Sequence, residues 1–329
     1  MMNVYAGSFS EPKETHVLRR GDPTQPGALV SPGGILAVNP PLVLDSRAPE
    51  SQRRLALAHW IGDPRNPLAA RVLANRLWHY HFGRGIVPTP SDFGFNGAPP
   101  SHPELLDWLA SELLSNGGYL KPLHRLLVTS STYRQATASD PKAQDADKLN
   151  RLLWRMVPRR LEAEPIRDAI LACSGSLDTR MGGPGYNIWE KNTNYVAVYK
   201  PRVELEGDTF RRMIYQFKPR SQQDPTFGAF DCPDAALVAP RRTVSTTALQ
   251  ALNLFNSRFV LQQSAAFAKR LADDVGSDPA RQVERGVSLA LGRSPNPTEK
   301  AAAIALIGSH GTAAFCRALY NSNEFLYAP

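Results

Sequence analysis

Four carboxylates have types and spacing suited to acid–base work: Asp92, Glu104, Glu164 and Asp168. Glu164 and Asp168 stand four apart, which on a helix puts both on one face, as paired acidic ligands or a general acid and its base require. The plainer use of the same pattern is structural, with Glu164 paired to Arg167 at i, i+3 or bonded to Arg71 and Arg76. A second group, Arg71, Asn75, Arg76, Trp78, His81 and Arg84 followed by His102, is the candidate set for holding an anionic or polar ligand. His79 and His81 flank Tyr80, but residues two apart on a helix point about 200° from each other and cannot share a metal ion. Met181-Gly182-Gly183-Pro184-Gly185 offers backbone N–H groups to an anion, yet no Lys-Ser/Thr follows and Pro184 removes a donor, so it is not a P-loop. Ser245-Thr246-Thr247 reads as a helix cap, since GxSxG is absent. Cys173, Cys232 and Cys316 form no CxxC, no CxxCH haem attachment and no zinc spacing, and three buried thiols fit them better than one disulfide and a leftover thiol. Neither a metal nor a cofactor is expected.

The element that would position the ligand set runs from Asp63 to Gly85. Asn66 is a natural N-cap, Pro67 suits the first helical position, and Gly83 suits the left-handed turn that ends the helix. At 100° per residue, Leu68, Val72, Leu73, Leu77, Trp78, Tyr80 and Phe82 fall almost all the way round, with Arg71, Asn75 and His79 in line between them. A helix without a polar half is normally buried. Its arginines would then need carboxylate partners from elsewhere in the chain, which predicts an interior polar network.

Around it, Glu50–Ile61 reads as a helix stopped by Gly62 and Asp63-Pro64. Pro88, Pro90, Gly94, Gly97, Pro99 and Pro100 force a loop that carries Asp92 and Phe93. Ser101 and Glu104 make a capping-box pattern ahead of Leu105, Leu106, Trp108, Leu109 and Leu113. Lys121-Pro122 starts another helix, 138–148 reads as an exposed loop, and Leu152, Leu153 and Met156 as a helical turn. Glu162–Cys173 is helical, with Pro165 confined to its first turn because mid-helix it would cost about 3 kcal/mol. Strand-like pieces are expected at Asn3–Ala6, Thr15–Arg20, Tyr195–Tyr199 and Arg212–Phe217, the last two forming a small hairpin. Helices return at Thr247, capped with Gln250, and at 258–274, 282–291, 298–307 and 312–320. The fold class is therefore mainly α: a multi-helix body with long ordered loops and a small β-hairpin excursion. Residues 1–48 read as an extended arm or linker, 49–177 as a helical core region, 178–245 as an irregular segment with the hairpin, and 246–329 as a C-terminal helical region.

The 329 residues are 42% hydrophobic and 21% charged, and no apolar run reaches the roughly 20 residues a membrane span needs. The net charge of +8 comes from 29 Arg against 9 Lys, spread as dyads such as Arg159-Arg160, Arg211-Arg212 and Arg241-Arg242 and never as a run. Arginine is favoured for planar, buried pairing, whereas a nucleic-acid tail clusters and includes lysine. Nucleic acid is thus not an expected partner. No signal peptide is visible at Met1-Met2-Asn3-Val4-Tyr5.

Several motifs together resemble the planctomycete surface domain, a domain of unknown function. They include Trp60 with Asp63-Pro64 and Asn66-Pro67, Asn75-Arg76 with Trp78, His81-Phe82-Gly83-Arg84-Gly85, Asp92-Phe93-Gly94 and Ser101-His102-Pro103-Glu104-Leu105-Leu106-Asp107-Trp108-Leu109. Further on come Ser131-Thr132-Tyr133-Arg134-Gln135, Arg160-Leu161-Glu162-Ala163-Glu164, Met181-Gly182-Gly183-Pro184, Gln250-Ala251-Leu252 and Asn321-Ser322-Asn323-Glu324-Phe325. Pro165 and Ala248 depart from the pattern. The resemblance implies extracytoplasmic or cell-surface placement at the C-terminal end of a multidomain protein, with an upstream cytochrome-c-like domain as a partner within the same protein; Val4-Tyr5-Ala6-Gly7 reads as the junction. It supplies no catalytic residues. The functional expectation is an accessory or binding module for an anionic cell-surface polysaccharide or a partner domain, and its rival is a hydrolase acting on cell-surface carbohydrate through paired carboxylates.

Overall fold

The computed structural model describes residues 7–190, 195 and 198–328. The strand expected at Asn3–Ala6, the junction at Val4–Gly7 save for Gly7, and Val196 and Ala197 of the strand expected at Tyr195–Tyr199 lie outside these residues; Tyr195, Val198 and Tyr199 are described and are not in a strand. The chain divides into two compact units, Met1–Val157 and Pro158–Pro329. Among the described residues there are twelve α-helices and two antiparallel two-stranded sheets, a mainly helical architecture.

In the first unit β1 (His16–Leu18) pairs with β2 (Pro26–Leu29), so the Pro- and Gly-rich stretch expected as a plain arm begins as half of a hairpin. Helices α1 (Glu50–Gly62), α2 (Pro67–Phe82), α3 (Pro103–Ser115), α4 (Leu120–Thr129) and α5 (Pro141–Ala146) follow. Ala74, Leu77, Trp78, Phe82, Leu106, Leu109, Leu113, Leu123 and Leu127 make the core of α2, α3 and α4. Asn66 joins α1 to α2: its Oδ1 accepts from Leu68 N at 3.0 Å and its Nδ2 donates to Trp60 O at 3.1 Å. Pro67 and Gly83 hold the positions their chemistry predicts, Gly83 with φ of 78°.

Three local expectations give way here. The Ser101 and Glu104 capping box does not form. Pro103, which has no N–H to satisfy, takes the first position of α3, and His102 precedes it without a side-chain cap. The 138–148 loop contains α5, because Asp140 Oδ1 accepts from Lys142 N and Ala143 N. The turn expected beyond Leu149 is irregular: Leu149 and Leu152 are exposed, Leu153 has φ of 58° and packs against the core from its edge, and Met156 is buried in it.

The enclosed α2 is also corrected. Ala70, Ala74, Asn75, Leu77, Trp78 and Phe82 are buried along one side, while Leu73 and Tyr80 are about half exposed and Arg76 faces solvent. The interior polar group is the Asn75 amide. Its Nδ2 donates to Val87 O at 3.0 Å and its Oδ1 accepts from Val87 N at 2.8 Å, pinning the loop after α2 onto the helix. A Cβ at Gly85 would lie 2.9 Å from that amide, which is why the loop passes there without a side chain.

The second unit holds α6 (Ala163–Ser174), α7 (Ala248–Asn256), α8 (Arg258–Val275), α9 (Pro279–Leu291), α10 (Pro297–His310), α11 (Thr312–Tyr320) and α12 (Asn323–Leu326), with β3 (Arg159–Arg160) antiparallel to β4 (Tyr327–Ala328). Ile166, Ile170, Val260, Phe267, Leu271, Val283, Phe315, Cys316 and Tyr320 fill its centre. The Thr247 and Gln250 capping box forms at α7. Pro165 lies in the first turn of α6, where it costs no ladder bond. Arg212–Phe217, expected as a strand, instead turns as a 3-10 segment at Met213–Tyr215.

Asn75 supplies the prediction from this packing. Asn75→Ala leaves a buried N–H and a buried C=O unpaired, at about 1–3 kcal/mol. Urea unfolding followed by tryptophan fluorescence should show an unfolding free energy lower by that amount, with the midpoint moved down accordingly, and an unchanged midpoint would sink the assignment of Asn75 as the loop's anchor.

Candidate functional site

The long segment between α6 and α7 has little ladder structure, so its backbone carbonyls must find donors elsewhere. Arginines supply them. Arg167 on α6 is buried to 1% exposure and donates to Arg211 O at 2.9 Å and to Thr209 O. Its guanidinium also lies over the rings of Tyr186 and Phe259, 5.4 and 5.3 Å from their centroids. Burial pulls Arg167 below its ordinary value, while Tyr186, Asp168 and Asp224 push it back up. Arg211, also buried, donates to Pro184 O at 2.7 Å, Gly182 O at 2.6 Å and Arg180 O at 3.1 Å. The Met181–Gly185 turn therefore presents carbonyls to a cation inside the fold.

This clamped segment forms a cleft of about 230 Å³, lined among others by Trp189, Gln216, Lys218, Arg220, Asp224 and Cys232. A bonded chain runs from the core to its wall. Tyr186 OH donates to Gln216 Oε1 at 3.2 Å, and Gln216 Nε2 donates to Asp224 Oδ2 at 2.7 Å. Asp224 Oδ1 accepts from Phe227 N and Thr226 N, which fixes the carboxylate. Trp189 is 4% exposed and its Nε1–H has no acceptor among the described residues. Arg220 is exposed and makes no ion pair among them. Beside the cleft, Glu164 accepts from Lys218 Nζ at 2.9 Å and from both terminal nitrogens of Arg242. Burial alone would raise the Glu164 carboxyl, but bonds from Arg242 and Lys218 outweigh it and hold the group down at about 2. Lys218 stays above its ordinary value despite burial, because Cys232 and Glu164 both accept from it.

The candidates read from sequence are divided between the two units. Asp168 accepts from Met213 N at 2.8 Å and from Arg212 Nε at 3.4 Å, so with Glu164 it anchors the loop segment to α6. Asp92 is exposed and closes its own turn by accepting from Gly94 N. Glu104 is exposed in the first turn of α3, where a negative charge suits the helix N-terminus. Arg71 pairs with Asp107 at 2.6 Å and donates to Pro67 O, so its carboxylate partner lies on α3. Trp78 stacks on Phe82 at 4.0 Å in the core. His81 Nε2 is 2.8 Å from His124 Nδ1 and edge-on to Tyr133, and His102 Nδ1 is 3.0 Å from Ser101 Oγ. Arg76 and Arg84 are exposed. Cys173 and Cys316 are buried free thiols, and Cys232 is half-buried and free.

Sequence reading passed over Trp189, Gln216, Lys218, Arg220 and Asp224. The available signal was the density of amide and cationic side chains in Gln216–Asp224, set within an aromatic stretch.

Fold and cleft together define a mainly helical protein whose candidate site is a polar cleft in an arginine-clamped loop segment. Residues 53–307 match the family model PSD1, protein of unknown function (DUF1553), and the chain belongs to that family, a planctomycete surface domain. No curated protein and no solved structure matches the chain. No described helix is long and apolar enough to cross a membrane.

Glu164 gives a pH prediction with a definite sign. A carboxyl held below its ordinary 4.5 contributes stability that is full above about pH 4.5 and is lost as pH falls through about 2. At about 1.4 kcal/mol per pH unit, that contribution is at most about 3 kcal/mol. Glu164→Gln should therefore be less stable than the parent chain at pH 7, and urea titrations should show the gap shrinking toward pH 2. A gap that stays constant with pH would mean that the carboxylate's charge is not what stabilises the segment.

Proposed function

We propose that the chain is an extracytoplasmic binding module for an anionic polysaccharide, with the cleft beside Lys218 and Arg220 as its ligand seat. The observation that carries this reading is the lining. One hollow is lined by Arg220, an exposed guanidinium with no ion pair among the described residues, by Gln216, Gln222 and Gln223, and by Trp189, whose buried indole N–H has no acceptor among those residues. Hydroxyl-rich ligands exchange hydrogen bonds with amides and indole N–H groups, and a carboxylate or sulfate on the sugar gives guanidinium a charge-assisted, bidentate partner. At about 230 Å³ the hollow is smaller than the roughly 300–1,000 Å³ of drug-sized sites, which suits one unit or one end of a chain. As an accessory module, it would present that ligand to an upstream cytochrome-c-like domain of the same protein.

The rival hydrolase reading needs a carboxyl that releases a proton near neutral pH. Glu164 is held ionised down to about 2, and Asp168 is occupied by Met213 N and Arg212. Glu164 is therefore not poised as a general acid, and the Asp168 carboxylate is already engaged by the loop it anchors.

The binding reading is tested by affinity electrophoresis through gels carrying polygalacturonate, dextran sulfate or neutral dextran. Retardation should appear in the charged gels and weaken with salt. Arg220→Ala should lose about tenfold in affinity, the equivalent of about 1.4 kcal/mol. Arg84→Ala, which lowers net charge equally, should lose little. Equal loss in both variants would reduce the effect to overall charge, and loss confined to Arg84→Ala would move the site to the end of α2.

A further inference from the structure

The cleft wall carries a contact that ligand binding does not use. Lys218 Nζ lies 2.9 Å from Cys232 Sγ and 2.9 Å from Glu164 Oε1, and Sγ is 3.9 Å from that same oxygen. Sulfur is a larger and weaker acceptor than oxygen, so an N···S separation within the ordinary N–H···O range of about 2.7–3.2 Å presses the two atoms together. Both residues line the cleft, so a small oxidant arriving from solvent meets the sulfur and the nitrogen side by side. Cys173 and Cys316 sit instead in the apolar core of the second unit.

We propose that Lys218 and Cys232 form a reversible covalent crosslink under oxidation by a hydroperoxide, through a sulfenic acid on Cys232 that the lysine nitrogen captures. In the first step the Cys232 thiolate, its proton given to solvent, attacks the peroxide and the O–O bond breaks; the terminal OH stays on sulfur as S–OH, and the other oxygen leaves with a proton from solvent as an alcohol, or as water when the oxidant is hydrogen peroxide. Sulfur is oxidised and the peroxide reduced. In the second step Lys218 first gives one ammonium proton to solvent, and the lone pair of the resulting amine forms an S–N bond as the S–OH bond breaks. The departing hydroxide takes a second proton from that nitrogen as water, and one hydrogen remains on it. Sulfenic acids condense with nitrogen in this way, and a thiol reverses the product.

The groups facing Cys232 set its pH dependence. Burial raises the thiol, Lys218 and Arg242 pull it back, and Glu164 adds to the rise. The thiolate is the attacking species, so crosslinking is slow at neutral pH and speeds up toward alkaline pH. The product removes the Lys218 charge from the cleft and ties its two walls together. It rests on the Lys218–Cys232 contact and stands whether or not the cleft takes a polysaccharide.

The test uses the full chain, treated with hydrogen peroxide at pH 7 and pH 9, alkylated and digested with trypsin without reductant. Mass spectrometry should find the peptides 213–220 and 221–241 joined and lighter by two hydrogens than the separate thiol peptides. The joined species should be more abundant at pH 9 and disappear with dithiothreitol. Lys218→Arg, which keeps a cation toward Glu164, should instead let Cys232 proceed to sulfinic acid, with folding checked by circular dichroism. The parent chain decides the matter even if that variant misfolds. Cys232 found as sulfinic acid or an intermolecular disulfide, with Lys218 still open to an amine reagent, overturns the proposal, as does a joined pair that retains an oxygen.

Discussion

The second unit depends on one constraint: a segment of about seventy residues between α6 and α7 must satisfy its backbone carbonyls with almost no sheet to do so. Buried arginines meet it. Arg167 and Arg211 together donate to five carbonyls, and the half-buried Arg160 adds a bond to Ser245 O. Guanidinium suits this work because it carries five donors in a rigid fork, never loses its charge, and is more weakly hydrated than an ammonium. The desolvation of Arg167 is offset by carbonyl dipoles and two aromatic faces more than by a carboxylate, the nearest being Asp168 at 3.8 Å. Single removal of such a group would leave several polar atoms buried at once.

Much of this fold was legible in the residues. The ends of α2 follow from Asn66, Pro67 and Gly83 because caps are local chemistry, and the box at Thr247 and Gln250 formed for the same reason. The box at Ser101 failed because Pro103 competed for the same helix start. α2 itself misled through composition: Leu73 and Tyr80 completed an apolar ring on paper, yet a helix packed against neighbours on one side leaves such residues in water, and exposed leucines are ordinary. The expectation that buried arginine needs acid was the instructive error. The chain does hold interior guanidinium groups, but at Arg167 and Arg211, and mostly with carbonyl partners that no spacing rule discloses. Likewise Lys218, Cys232 and Glu164 meet across separations of 14 to 68 positions, which no local pattern reveals.

The same accounting changes how the charge of +8 should be read. Net charge describes long-range attraction only when the charges face solvent. Here many arginines are consumed by the fold: Arg71 by Asp107 and Pro67, Arg53 by Ala48 and Ser46, Arg242 by Glu162 and Glu164. Under the proposed reading, what distinguishes a guanidinium is not its place in a basic dyad but its lack of such work, and by that measure Arg220, with no ion pair among the described residues, stands apart from Arg211 and Arg212. Its neighbours Gln216 and Asp224 are bonded into the interior through Tyr186, so the groups beside it are already held in place, which would lower the ordering cost of the proposed binding. A loop segment can present a precise polar surface only if something other than a sheet makes it stiff, and in this protein that stiffness comes from the arginines it encloses.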